Sequence, residues 1–256
     1  MTGMMEKVNL FKTGVSVGSY QKFLDKILDM SARRVSSYVC FANVHMLMEG
    51  HQKPAFRHIV NNADLVAPDG RPVSLIMRSH YGIKQDRVCG MDIFPDLLRG
   101  CETNSMSVFF YGSTQQVLDT IRAKAMKQFP NLIIAGMYSP PFRKLTPEED
   151  EEVVTMINAS GANMVFVSLG CPKQETWMNE HKNQISACML GLGQAFLTYA
   201  GLEKRLPEWA RKLSLEWTYR LFLEPKRLWK RYLVGNSKFI FLALMEFPFA
   251  KRRSKI

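Results

Sequence analysis

The sequence predicts an α/β protein: a mainly parallel sheet with helices on both faces, followed by a basic helical appendage. Three observations carry this. Apolar runs recur at 38–42, 65–67, 107–111, 132–135, 163–169 and 187–190, each as long as a buried strand and each ended by Gly, Pro or Asn. Helix-like stretches lie between them at ordinary spacing, the pattern of a doubly wound sheet. After Gly201 the chain turns basic and Trp-rich. The expected division is an α/β core over 1–201 and an appendage over 202–256.

Taken in order, residues 8–17 read as a strand and turn. Stretch 19–32 places Phe23, Ile27 and Met30 at helical spacing behind a Ser19 cap. The first buried strand, 38–42, stops at Asn43. Stretch 45–61 reads as helical and carries His45, His51 and His58. It lacks the i,i+4 His pair of a helical metal site, and Glu49 is its one acid. These are read as surface or capping histidines. The run 65–67 stops at Pro68-Asp69-Gly70, and helix 71–81 follows with Pro72 early. Arg87-Val88-Cys89-Gly90-Met91-Asp92 then leads into helix 93–101. Arg87 before a glycine turn could aim a guanidinium at a phosphate, but from this segment alone an exposed arginine is the better reading.

The run 107–111 is a strand, and Gly112-Ser113-Thr114 opens a helix over 115–128. A strand, a glycine turn and a helix N-terminus make a fitting place for a diphosphate. This is not a full GxGxxG, and many βα turns bind nothing. With 132–135 it forms a βαβ unit. Tyr138-Ser139-Pro140-Pro141-Phe142 reads as a rigid loop. Thr146-Pro147-Glu148-Glu149 is a capping box, so the acid run 148–152 is read as a solvated first turn and not as a metal site. Strand 163–169 runs into Gly170-Cys171-Pro172-Lys173-Gln174-Glu175, which starts a helix reaching His181. Strand 187–190 runs into a glycine stretch holding Gln194. In the appendage, 207–224 is amphipathic, 225–233 is strongly basic, and 237–250 is apolar but interrupted by Glu246 and Pro248.

In a parallel sheet, ligands bind outside the carboxyl ends of the strands. Asn43, Asp69, Lys173 and Gln174 all fall at that edge, so an amide and a carboxylate would face one crevice. A plain turn at Asp69-Gly70 and a helix cap at Asn43 account for the same residues.

Charge is unevenly placed. Residues 202–256 hold 14 Lys and Arg against 5 Glu, which is +9 of the chain's net +11. Such asymmetry points to a polyanionic partner, nucleic acid or an anionic lipid surface. Basic residues mixed with Trp209, Trp217 and Trp229 on short helices suit an in-plane membrane helix; helices packed on the core suit the same residues. Five scattered cysteines without a CxxC pair indicate reduced thiols in a cytosolic protein. The first residues lack the apolar core of a secretory signal, and no stretch reaches the roughly 18 apolar residues of a spanning helix.

Together these motifs resemble the WecG/TagA/CpsF family of bacterial glycosyltransferases. The resemblance covers roughly 8–232. It is carried by Asn43, Ala63-Asp64-Leu65-Val66-Ala67-Pro68-Asp69-Gly70, Arg87-Val88-Cys89-Gly90-Met91-Asp92 and Phe110-Tyr111-Gly112. It continues through Ser139-Pro140-Pro141-Phe142, Gly170-Cys171-Pro172-Lys173-Gln174-Glu175, Leu215-Glu216-Trp217-Thr218-Tyr219-Arg220-Leu221 and Glu224-Pro225-Lys226-Arg227-Leu228-Trp229. The resemblance implies a Rossmann-like core and an inverting, metal-independent transfer without a cofactor. The sugar, of N-acetylmannosamine type or a related hexose, would pass from a UDP-sugar to an undecaprenyl-diphosphate-linked sugar, with the appendage used at the membrane; the missing signal and the free cysteines put that at the cytoplasmic face. It implies Asp69 as general base, with Asn43, Arg87 and Gln174 lining the acceptor and diphosphate side. Gly112, Ser113, Tyr138, Lys173 and Gln194 are the candidate substrate-binding residues. Arg220, Lys226, Arg227, Lys230 and Arg231 are the candidate membrane and acceptor contacts. Two departures, Phe41 where the family often has Thr and Leu197 where it often has Asp, leave donor and acceptor identity open.

Two other classes compete. A non-catalytic nucleotide- or RNA-binding protein would use the basic tail on phosphates, but no RNP-type signature or helix-turn-helix spacing supports it. A dinucleotide enzyme would need GxGxxG and an acid about 20 residues on, and the chain has neither arrangement. Oligomeric state is not legible.

Overall fold

The fold was obtained as a computed structural model, which describes residues 5–203, 219, 221–222, 225–229 and 233–253. A two-stranded antiparallel hairpin, β1 (Lys7–Leu10) and β2 (Thr13–Ser16), leads into α1 (Tyr20–Ala32) and β3 (Ser37–Ala42). Next come α2 (Val44–Gln52), α3 (Pro54–Asn61), β4 (Leu65–Pro68), α4 (Arg71–Tyr81), α5 (Gly90–Thr103) and β5 (Ser107–Gly112). The core continues with α6 (Gln115–Gln128), β6 (Ile133–Tyr138), α7 (Pro147–Ala159), β7 (Met164–Ser168), α8 (Lys173–Glu180), β8 (Cys188–Gly191) and α9 (Ala195–Ala200). Beyond it, the described residues include α10 (Pro225–Trp229) and α11 (Gly235–Arg253).

Strands β3 to β8 form one sheet in the order β4-β3-β8-β7-β5-β6, with every pair parallel. This is the Rossmann-like α/β architecture that the alternating runs predict. Side chains alternate across each strand. Phe110 and Phe166 face a core shared with Phe94 and Phe196, while Phe109, Tyr111, Val165 and Val167 face the other, shared with Tyr38 and Trp177. Covered on both faces, β3 is buried at all six positions, which is why it reads as an unbroken apolar run.

Local chemistry sets the helix ends. Ser19 caps α1, its hydroxyl accepting from Lys22 N–H at 3.2 Å. Thr146 and Glu149 close the expected capping box on α7. The single helix expected over 45–61 is two. Pro54 lacks an N–H and forces Lys53 out of the helical region, to φ −116°, ψ 98°, so Lys53 ends α2 and begins α3. Strand β6 is longer than expected. The pairing of Phe110 with Met137 and Tyr111 with Tyr138 extends it, so Tyr138 ends a strand and does not lie in the loop.

Helix α11 is continuous through Glu246 and Pro248, where the sequence suggests an interruption. It lies against α2 and α4. Phe239 is buried edge-to-face on Phe11 at 5.3 Å. His80 Nε2 donates to the Ala243 carbonyl at 2.8 Å; a carbonyl only accepts, so this nitrogen carries the proton. Packing of this kind outweighs the loss of one N–H at Pro248. The amphipathic helix expected over 207–224 lies outside the described residues, apart from helical Tyr219, Leu221 and Phe222. Among the described residues no helix is long and apolar enough to cross a membrane.

Candidate functional site

All six strands end at one edge, and the site is built there. Ala42 and Pro68 are register partners, and the Asp69 N–H donates to the Ala42 carbonyl at 3.0 Å. Asn43 and Asp69 therefore leave adjacent strands side by side, both half-buried. Asn43 also caps α2, Oδ1 accepting from Met46 N–H at 3.1 Å. The cap and the crevice readings thus hold for the same residue. Val88 N–H donates to the Pro68 carbonyl at 2.9 Å, which pins the 87–92 segment against the end of β4. Arg87 is held there by Asp92 in the first turn of α5, Nη2 to Oδ2 at 2.6 Å. The Cys89 thiol between them is pushed well up by burial first, then by Asp69 and Asp92, with Arg87 opposing. That balance places one guanidinium and two carboxylates within electrostatic reach of a single buried atom.

The second half of the edge is made of turns. Gly112 adopts φ +105°, and a Cβ there would collide with the Ser168 carbonyl, so only glycine fits. Ser113 follows at φ +64° and donates its N–H to Ser168 O at 3.0 Å. Thr114 then caps α6. Tyr138 lies beside this turn, its ring parallel to Tyr111 at 6.2 Å, and Tyr111 in turn stacks on Trp177 at 4.4 Å. Lys173 is exposed at the start of α8. Gln194 donates from Nε2 to Glu203 Oε2 at 2.6 Å.

Gln174 is expected to line the crevice, and the structure places it beneath. It is buried, Oε1 accepting from Gly170 N–H at 3.1 Å and Nε2 donating to buried Glu175 Oε1 at 2.8 Å. The edge therefore gathers Asn43, Asp69 and Arg87 at one corner. Gly112, Ser113 and Tyr138 lie at the ends of β5 and β6, with Lys173 and Gln174 in the first turn of α8 after β7, and Gln194 on the loop after β8. Of the tail candidates, Lys226 is exposed on α10; Arg220, Lys230, Arg231 and the Arg227 side chain lie outside the described residues. Reasoning from sequence missed Asp92 as the partner of Arg87, and also Ser139, Ser168 and Glu175. Each sits inside or beside a motif whose spacing is visible, but nothing in the sequence says which of its polar atoms meet.

Among the described residues, no three His, Cys, Asp or Glu side chains gather as metal ligands. In the acid run of α7, Glu149 engages Arg143 through two bonds of 2.6 Å. Chemically, the first corner offers a carboxylate to take a proton and a guanidinium to meet negative charge.

The chain matches the family model described as "Glycosyl transferase WecG/TagA/CpsF family" over residues 8–253. An N-acetylglucosaminyldiphosphoundecaprenol N-acetyl-beta-D-mannosaminyltransferase of Bacillus spizizenii is 33% identical over 198 residues, covering 77% of this chain and 75% of the relative. A Staphylococcus aureus protein of the same description is 29% identical over 222 residues, covering 85% and 82%.

Proposed function

The chain belongs to the WecG/TagA/CpsF family of glycosyl transferases, and we propose that it moves an N-acetylmannosamine-type sugar from a UDP-sugar to an undecaprenyl-diphosphate-linked N-acetylglucosamine. The observation that carries this reading is the Asn43–Asp69–Arg87 corner, together with the substrate named in its relatives. Asp69 takes the proton from the acceptor hydroxyl, and that oxygen attacks the anomeric carbon from the face opposite the leaving UDP. Bond breaking runs ahead of bond making, so the sugar carries oxocarbenium character and the anomeric centre inverts. Asn43 orients the acceptor. Charge growing on the diphosphate is met by Arg87 and by the N-termini of α6 and α8 instead of a metal ion.

The acceptor is confined to a bilayer, and the reading gives residues 202–256 the task of holding the site at its cytoplasmic face. On α11, Ile240, Phe241, Leu244 and Met245 are exposed on the side away from buried Phe239. The basic residues around them would each add about 1 kcal/mol near an anionic leaflet.

The test is transfer from a panel of UDP-sugars to a short-chain polyprenyl-diphosphate-N-acetylglucosamine, with and without chelator. Inverted product from UDP-N-acetylmannosamine, unchanged by chelator, is expected. A rate restored only by added Mg²⁺ or Mn²⁺ would remove the metal-free part of the proposal, and no product with any donor would remove the transferase.

A further inference from the structure

Two serine hydroxyls outside the candidate catalytic set each fix the direction of a peptide plane at the crevice rim. Ser168, the last residue of β7, donates from Oγ to the Gly193 carbonyl at 2.9 Å. Ser139, just past β6, donates from Oγ to the Ser113 carbonyl at 2.8 Å. Neither bond is needed to hold the sheet. Gly112 already pairs with Ser168 in the β5–β7 ladder, and Val167 with Gly191 in the β7–β8 ladder. Both hydroxyls act above the last rungs, where loop meets loop.

The consequence follows from peptide geometry. In a trans peptide the C=O and the next N–H point in opposite directions. With the Gly193 carbonyl held towards Ser168, the Gln194 N–H is turned away from β7. With the Ser113 carbonyl held towards Ser139, the Thr114 N–H is turned away from β6. Gly193 and Ser113 are also held from behind. Gly193 sits at φ +50° against the Gln174 amide, which is itself tied to Gly170 N–H. Ser113 is tied through its own N–H to Ser168 O. Ser168 thus holds the Gly193–Gln194 plane through its side chain and, through its carbonyl, the Gly112–Ser113 peptide that precedes the second plane.

We infer that Ser168 and Ser139 are positioning residues for the donor's diphosphate, acting through the Gly193–Gln194 and Ser113–Thr114 peptides whose N–H groups they aim. The inference rests on the reading of a nucleoside-diphosphate donor. It gives the polar residue at the end of the otherwise apolar strand β7 a purpose that packing does not supply. It also separates two contributions to donor binding, the base, which these peptides do not touch, and the phosphates, which they do.

The experiment is titration of UDP and of uridine into wild type, Ser168→Ala, Ser139→Ala and Ser168→Thr, with thermal melts alongside. Each Ala variant should weaken UDP by roughly five- to tenfold, the usual worth of one such hydrogen bond, and leave uridine unchanged. Ser168→Thr keeps the hydroxyl and should return UDP affinity towards wild type. In turnover, donor KM should rise by the same factor while acceptor KM stays put. An unchanged ratio of UDP to uridine affinity in both Ala variants would overturn the inference and leave the transferase reading standing. A wild type that binds no UDP would overturn both. Ser139→Ala leaves β7 untouched, so it decides the matter even where Ser168→Ala misfolds.

Discussion

The Asp69 N–H donates to the Ala42 carbonyl at 3.0 Å, as the last rung between β3 and β4. The bond is made by backbone alone. It fixes where the Asp69 side chain leaves the sheet, whatever that side chain is, and it puts Asn43 next in line on the neighbouring strand.

Asp69→Asn should therefore keep the fold while removing the proposed base. The side chain is half-buried and the amide is its near isostere. General-base assistance contributes about 10²- to 10⁴-fold, so the transfer rate should fall by that much. UDP affinity should stay within about twofold, since Asp69 is assigned to the acceptor hydroxyl and not to the donor. Steady-state transfer and UDP titration on the same preparation check this. A variant that retains its rate would place the base elsewhere.

The sheet was legible because burial on both faces leaves strands such as 38–42 and 107–111 wholly apolar, and glycine or proline marks their ends. The split at Pro54 was written in the sequence too, but periodicity across 45–61 masked it. Gln174 shows where legibility stops. Its position at the carboxyl edge follows from the strand before it, whereas its inward turn onto Gly170 N–H depends on how the 170–172 turn closes into α8. Arg87 shows the same limit: its motif is visible, but its bond to Asp92 needs the turn of α5 to exist first.

The thiols should react very unequally. Cys40, Cys89, Cys101 and Cys188 are buried, while Cys171 is half-buried in the loop before α8. Burial pushes the Cys101 thiol up to about 12 and Cys188 to about 11. Cys40 and Cys89 are raised well above the ordinary range by the same cause. The reactive species is the thiolate, so near pH 8 these four stay inert. An aromatic disulfide reagent should titrate one thiol in the folded protein and all five in guanidinium. Added bulk at Cys171 should slow transfer, and UDP should protect against it. Rapid reaction of two or more native thiols would show that the core opens readily.

Helix α11 has a buried face and an exposed apolar one, and the proposed membrane contact of the second can be tested apart from the packing of the first. Phe239, 5% exposed and packed on Phe11, is part of the core. Phe239→Ala should cost about 3–5 kcal/mol of stability, as large-to-small core changes do. Phe241 and Leu244 are 61% and 70% exposed, so replacing both with Glu removes nothing the fold uses. On a bilayer the result differs. Two buried apolar side chains contribute about 2 kcal/mol each, and losing them lowers partitioning by roughly 10²-fold or more before the repulsion of two carboxylates by anionic lipid is counted. The double variant should melt like wild type, stay in the supernatant with anionic vesicles, and still turn over a short-chain soluble acceptor. Added salt should weaken wild-type binding only in part, because the basic residues are screened and the apolar face is not. If the double variant pellets with vesicles as wild type does, the membrane contact lies elsewhere in the appendage and α11 is only a strut between α2 and α4.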